Sequence, residues 1–310
     1  MQALFQAIGR HGARMAVTLV PLVLAVLHAV GVLNVGVLQR LDEIIYDTRL
    51  RATLPATHDD RVVIVDIDER SLAEVGRWPW PRDRVAALVD ILFERQRVAL
   101  LGFDTVFAEP DSSSGLPQLQ QLAQGALADQ PGFADRVQAL TPQLDHDARL
   151  ARSLQGRPVV LGYYFTSDRD GHTSGVLPAP VLQTDDLAGR PLPATQWNGY
   201  GANIAPLAAA APLAGFFNAM ADHDGVVRSL PLLAEHEGRY YESLALALFR
   251  RLAGSPRVEP GFANERMLSR AYQALESVRL MQGTTTLAIP VDERALAELV
   301  VQPGQRVLEI

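Results

Sequence analysis

RVVIVDIDERSLAEVGRWPWPRDRVAALVDILFERQRVALLGFD, residues 61–104, is the stretch that decides the reading of the fold. Arg61 to Asp68 is a β-branched apolar run ending in acids, and it reads as a strand buried on both faces, as in a parallel sheet. Ser71 to Val75 reads as a short helical turn. Gly76-Arg77-Trp78-Pro79-Trp80-Pro81-Arg82 is a stiff loop, because two prolines fix its backbone and two tryptophans need a surface to cover. Asp83 to Arg95 places Val85, Leu88, Val89 and Leu92 on one side of an amphipathic helix. Val98 to Asp104 repeats the buried-strand pattern. Strand, helix and strand predict a right-handed βαβ unit and an α/β fold class.

Upstream, Met15 to Leu38 carries no ionised side chain. At 1.5 Å per residue it would span about 36 Å, against a hydrocarbon core of about 30 Å. It predicts an N-terminal transmembrane helix over 15–38; the competing reading is a signal peptide cleaved near Ala29-Val30-Gly31. Arg10 and Arg14 precede the segment and no acid occurs before Asp42. The positive-inside rule then puts residues 1–14 in the cytoplasm and the rest outside. Leu38 to Leu50 reads as a juxtamembrane helix, with Leu38, Leu41, Ile44 or Ile45, and Thr48 at spacings of three and four. Pro55 ends it. The domains expected are thus a cytoplasmic end (1–14), a membrane helix (15–38), a connecting helix (39–55) and a mixed α/β domain with a βαβ core and β-hairpins (56–310).

Downstream, residues 111 to 142 have helical character, and Thr141-Pro142 reads as the start of a helix running to about Leu154. Arg157 to Phe165 reads as a third strand. Ser167 to Leu213, rich in Gly, Pro and Ala, reads mostly as loop. Asp224-Gly225 predicts the turn of a hairpin within 215–233. Glu242 to Leu252 is an amphipathic helix ended by Gly254, and Ser277 to Ile289 reads as a hairpin around Gly283. The last twenty residues are indistinct.

Composition excludes whole classes of chemistry. All 28 basic residues are arginine, and there is no cysteine. Schiff-base lysines, phosphate-loop lysines, thiol nucleophiles, zinc–thiolate sites and disulfides are ruled out. The 48% hydrophobic and 20% charged shares are globular values. Setting aside Arg10 and Arg14 leaves 26 arginines against 35 acids, a net of −9 for the part expected outside. An acidic chain without a basic stripe is a poor nucleic-acid binder. The histidines 11, 28, 58, 146, 172, 223 and 236 include no i, i+4 pair, which argues against zinc. No cofactor is required.

The most suggestive chemistry is acidic. Asp66 and Asp68 end one expected strand and Asp104 the next, where parallel sheets form ligand crevices. Together they could meet a Mg²⁺ or a cationic ligand, or simply cap helices and pair with Arg70 or Arg82. A strand ending in Asp-x-Asp is also similar to haloacid dehalogenase-type phosphotransferases, which need a downstream lysine that this chain lacks. Trp78 and Trp80 could form a stacking platform or a packed lid. Asn218, Asp224 and Arg228 surround the hairpin turn, where Asp and Asn also serve local backbone geometry.

A wider pattern joins these pieces. LDEIIYDTRLR at 41–51, residues 61–111, LDHDARLARSLQGRPVVLGY at 144–163, GFFNAMADHDGVVRSLPLL at 215–233 and ESLALALFRRL at 242–252 occur in this order. With these motifs the chain resembles the type-two CHASE family, the cyclases/histidine-kinases associated sensory extracellular domains. The resemblance covers roughly residues 38 to 290. It implies a sensor domain outside the inner membrane of a bacterium, one membrane helix before it and further helices after it. A cytoplasmic output is implied too: an adenylate or guanylate cyclase, a diguanylate cyclase or a kinase. It also implies a homodimer in the full-length parent, with an unidentified small-molecule or envelope signal. Asp66, Asp68, Arg82, Asp104, Asn218, Asp224 and Arg228 match its motif positions, and with Trp78 and Trp80 they are the candidate ligand residues. No match is evident after Ile289, so the C-terminal part of the domain is expected to be missing. Two other readings stay open: an anchored structural or dimerisation module, and a metal-dependent extracytoplasmic hydrolase using Asp66, Asp68 and Asp104.

Overall fold

The computed structural model describes residues 17, 19–27, 36–54, 61–263, 274–292 and 294–298. The chain divides into two units, residues 1–64 with 300–310 and residues 65–299. In the first unit the described chain is helical at 19–27 and in α1, Gly36–Thr53. α1 contains the helix expected over Leu38–Leu50, and its Val37, Leu41, Ile44 and Ile45 are exposed.

Among the described residues no helix is long and apolar enough to cross a membrane, which corrects the N-terminal transmembrane helix expected over 15–38. Helical residues 19–27 reach about 14 Å at 1.5 Å each, under half of a hydrocarbon core of about 30 Å. α1 is interrupted by Arg40, Asp42, Glu43, Asp47, Arg49 and Arg51. Positions 15, 16, 18 and 28–35 of the expected span, and all of 1–14, lie outside the described residues.

The strand expected at 61–68 is also corrected. These residues form no strand and pair with none among the described residues. Val63, Ile64 and Val65 are 77%, 65% and 53% exposed. A run that is apolar on both faces becomes a strand only where neighbours supply the ladder and the cover. The βαβ unit it would have opened is therefore not closed.

Asp68 begins α2, Glu69–Val75, and Pro81 precedes α3, Arg82–Glu94. Val85 and Val89 of the expected stripe are buried in α3, together with Ala86. Of the strand expected at 98–104, only β1, Leu101–Gly102, is paired. Three helices follow: α4 (Leu116–Gln124), α5 (Phe133–Leu144) and α6 (His146–Leu154). They lead to β2, Val159–Thr166, which runs parallel to β1. The parallel crossover is thus made by β1 and β2, one strand later than expected. Thr141-Pro142 does not start a helix. Both residues lie inside α5, where Thr141 Oγ1 donates back to the Val137 carbonyl at 3.0 Å. The start falls at Asp145, whose carboxylate accepts from Ala148 N–H at 2.8 Å. A side chain free to turn forward onto the new helix makes the cap; one already bonded to its own preceding turn does not.

The remaining elements are β3 (Thr173–Ser174), β4 (Leu182–Gln183), β5 (Thr195–Gln196), β6 (Gly199–Gly201), α7 (Ala205–Ala210), β7 (Ala214–Phe216), β8 (Ser229–Pro231), β9 (Leu233–His236), β10 (Arg239–Glu242), α8 (Leu244–Leu252), β11 (Arg257–Phe262), β12 (Leu275–Gln282), β13 (Thr285–Pro290) and β14 (Leu296–Glu298). β2 is the centre of the main sheet: β1 and β7 run parallel to it, β6 antiparallel, and β3 joins β6. Tyr163 and Phe165 of β2 meet Phe216 of β7 in a core closed by Val85, Val89, Leu150, Leu154 and Leu207. α3 packs on α6, and α6 on α7. A second core gathers Leu182, Leu233, Leu246, Val258, Leu275 and Val278 between the β4-β10-β9-β5 and β11-β12-β13 sheets and α8.

The turn expected at Asp224-Gly225 forms, with Gly225 at φ 84°. Its flanks meet as strands only at the Met220–Ser229 bridge, because β7 pairs with β2 and β8 with β14. The hairpin around Gly283 forms as expected between β12 and β13.

Candidate functional site

Arg82 is the first residue of α3, delivered there by the stiff loop ending in Pro81. Its guanidinium lies over the Phe107 ring, 4.5 Å from the centroid, a cation–π arrangement. Nη2 donates to the Glu109 carbonyl at 3.3 Å, and Nε stands 3.7 Å from Asp147 Oδ1. The Arg82 backbone N–H, one of the donors that a helix start leaves unpaired, is taken by Asp111 Oδ2 at 2.7 Å. Asp111 Oδ1 accepts from Ser113 N–H at 2.7 Å, and the N–H of Asp111 donates to Asp147 Oδ2 at 2.8 Å. His146, opening α6, brings Nδ1 to 3.3 Å from Asp111 Oδ2, 3.3 Å from Ser113 Oγ and 3.7 Å from Asp83 Oδ1. Five side chains, Arg82, Asp83, Asp111, His146 and Asp147, thus knot the start of α3, the 107–115 loop and the start of α6.

The electrostatics of this knot are unbalanced. Three carboxylates face one guanidinium and one imidazole. Burial pushes the Asp147 carboxyl up, and the neighbouring Asp111 and Asp145 charges reinforce it; the Asp111 N–H and Arg82 only partly offset this. Burial also acts upward on Asp111, but its bonds from Ser113 and Arg82 N–H, with His146, win and hold it below the ordinary carboxylate value. Burial lowers Arg82 against the pull of Asp147 and Asp111. Arg82 Nε, Asp83 Oδ1 and Asp147 Oδ1 are buried without a hydrogen-bond partner, a state that native structures seldom tolerate without a reason.

Of the residues singled out in the sequence, Arg82 alone belongs to this knot. Asp66 and Asp104 are exposed. Asp68 caps α2, accepting from Ser71 N–H at 2.8 Å and Ser71 Oγ at 2.7 Å, and these bonds lower its carboxyl. Among the described residues no group of three His, Cys, Asp or Glu is placed to hold a metal, so Asp66, Asp68 and Asp104 do not converge on an ion. Trp78 and Trp80 meet edge to face at 5.7 Å, and Trp80 Nε1 donates to the Gly76 carbonyl at 2.8 Å. Trp80 packs against the main core, which makes it a lid residue. Asn218 clamps β2, accepting from Phe165 N–H at 2.8 Å and donating to the Phe165 carbonyl at 2.9 Å. Arg228 pairs with Asp224 at 2.8 Å and Asp222 at 3.0 Å. The hydrogen bonds from Arg228 hold the Asp224 carboxyl well below the ordinary range.

Asp83, Asp111, His146 and Asp147 were missed. Asp111 lies within the quoted motif stretch, and Asp145-His146-Asp147 is a visible acid–histidine–acid string at a helix start. No spacing rule connects them, because the contacts span 35 and 36 residues. Two cavities lie elsewhere. One of about 370 Å³ is lined by Leu161, Leu177, Ala208, Ala211 and Asn203, and one of about 240 Å³ by Leu187, Arg190, Arg257 and Phe262. Neither is bounded by Trp78, Trp80, Asp66 or Asp104.

The family model described as CHASE2 domain matches residues 22–303, and the chain belongs to this family of sensory extracellular domains. The match runs past Ile289, where the motifs legible in the sequence end. No curated protein and no solved structure matches the chain.

Proposed function

We propose, with membership of the CHASE2 family as the premise, that this chain is the extracytoplasmic input region of a bacterial signalling receptor at the inner membrane. It receives a small-molecule or envelope signal and passes it to a cytoplasmic output such as an adenylate or guanylate cyclase. The observation that carries this reading is the match over 22–303. The Arg82 knot supports it. It joins three segments far apart in sequence, and its charge balance is incomplete, so a modest change there alters how α3 and α6 pack. A signal acts only through such a difference between two states.

Two copies are proposed to act together through α1, whose Val37, Leu41 and Ile44 are exposed at spacings of four and three, the repeat that pairs helices. The chain has no cysteine, so a single Leu41→Cys gives one thiol. Disulfide-linked dimers are expected from Leu41→Cys and not from Arg49→Cys on another face; equal yields from both would remove the support for pairing. The location is tested by fusing alkaline phosphatase, which is active only outside the cytoplasm, after Gly254. High phosphatase activity is expected, and an inactive fusion with an active β-galactosidase counterpart contradicts it.

A further inference from the structure

We infer that the knot at the start of α6 is a proton-operated latch, in which proton uptake by His146 tightens the 107–115 loop onto α3 and α6. This rests on the sensory reading and names the signal that would act at its site. The side chains of Asp111, Arg82, Asp147 and His146 keep 7%, 11%, 14% and 15% of their exposure, so their charges are largely withdrawn from water. The groups near His146 Nδ1 are Asp83 from α3 and Asp111 and Ser113 from the loop; Arg82 and Asp147 belong to the same knot through Asp111, and Asp145 is the neighbour of His146 in sequence. Glu109 contributes its carbonyl to Arg82.

With His146 neutral, the three carboxylates Asp83, Asp111 and Asp147 outweigh Arg82 by two charges. Asp111, Ser113 and Asp83 all stand within 3.7 Å of Nδ1, which carries at most one hydrogen in either form, so what protonation adds here is charge. Asp83 Oδ1 is buried with no hydrogen-bond partner. An imidazolium attracts both carboxylates at once and removes one unit of the excess. Asp111 is held in its ionised form by its hydrogen bonds, and it remains the counter-charge. Asp111 is also the mechanical centre: its carboxylate holds Arg82 N–H and Ser113 N–H, and its own N–H holds Asp147. Proton uptake therefore strengthens the fastening of the loop. The latch is firm at low pH and is lost as pH rises. Histidine is the side-chain type suited to this task in the range from about pH 5 to 8.

The test is hydrogen exchange on the full chain, read at the Arg82, Asp111 and Ser113 amides and corrected for intrinsic rates. In the wild type, protection is expected to fall severalfold between pH 5.5 and pH 8. In His146→Gln the profile is expected to be flat. Asp83→Asn, a milder change, is expected to shrink the response. Wild-type and His146→Gln profiles that coincide overturn the latch. So do His146 imidazole resonances that fail to titrate between pH 5 and 8.5 in the wild type. Neither readout uses a signalling output. A pH-insensitive loop in a receptor that still responds to another stimulus overturns the latch and spares the sensory reading. A pH-sensitive loop in a chain that changes no output does the reverse.

Discussion

At Arg82 the guanidinium rests on the Phe107 ring while the backbone N–H is held by Asp111, so one residue fastens the loop twice. Arg82 was legible because a stiff Trp-Pro-Trp-Pro loop delivers it to a helix start. His146 was not, because a search for paired ligands four residues apart passes over a histidine whose partners come from other elements. Asp66 and Asp104 were singled out as strand ends, and the first of those strands is not formed among the described residues. Glu242 makes a separate residue-scale prediction. It is largely buried, with a 3.1 Å pair to Arg250, yet burial outweighs that pair and raises its carboxyl to about 7 from 4.5. The folded state thus holds the proton more tightly than the unfolded one. The resulting stabilisation is full below about pH 4.5 and lost as pH rises through about 7, at most roughly 3 kcal/mol. Denaturant titrations at pH 5 and pH 8 should show this decline in the wild type and not in Glu242→Gln; equal slopes in both would assign the decline to other groups.

At the scale of elements, the readings that held were those in which pattern and local chemistry agreed. α3 has its helical period and a proline before its first turn. β2 is apolar throughout and finds partners on both sides. The β12–β13 hairpin has Gly283 at φ 58° in its turn. The failures have two physical sources: a strand needs a second segment to pair with, and a capping side chain must be free to turn forward. Residues 61–68 have the composition of a buried strand, but no ladder forms among the described residues, and Thr141 bonds backward where it was expected to cap forward. This yields a discriminating prediction. Ile64→Thr should change stability by less than about 0.5 kcal/mol, as at ordinary surface sites. A loss near 2 kcal/mol in a thermal or denaturant melt would restore the buried strand.

At the scale of the molecule, residues 65–299 hold two large apolar clusters and a smaller one around Val160, Leu244 and Ala247. The Arg82 knot sits at the edge of the first, against Phe107, where α3 packs on α6. The family follows from motifs spread over the whole domain, whereas the knot could be found only once the chain was folded. The central claim is that this knot controls the output of a sensory domain. The most direct measurement places the chain, with its native downstream sequence, before an adenylate cyclase catalytic domain. Cyclic AMP is then compared between wild type and Asp147→Asn, a near-isosteric change that fixes the uncharged form. The account predicts a shift in basal output of at least about fivefold at matched expression, the lower end of ordinary allosteric coupling. Identical output from the two proteins, in a fusion that still responds to a change of external conditions, would contradict it.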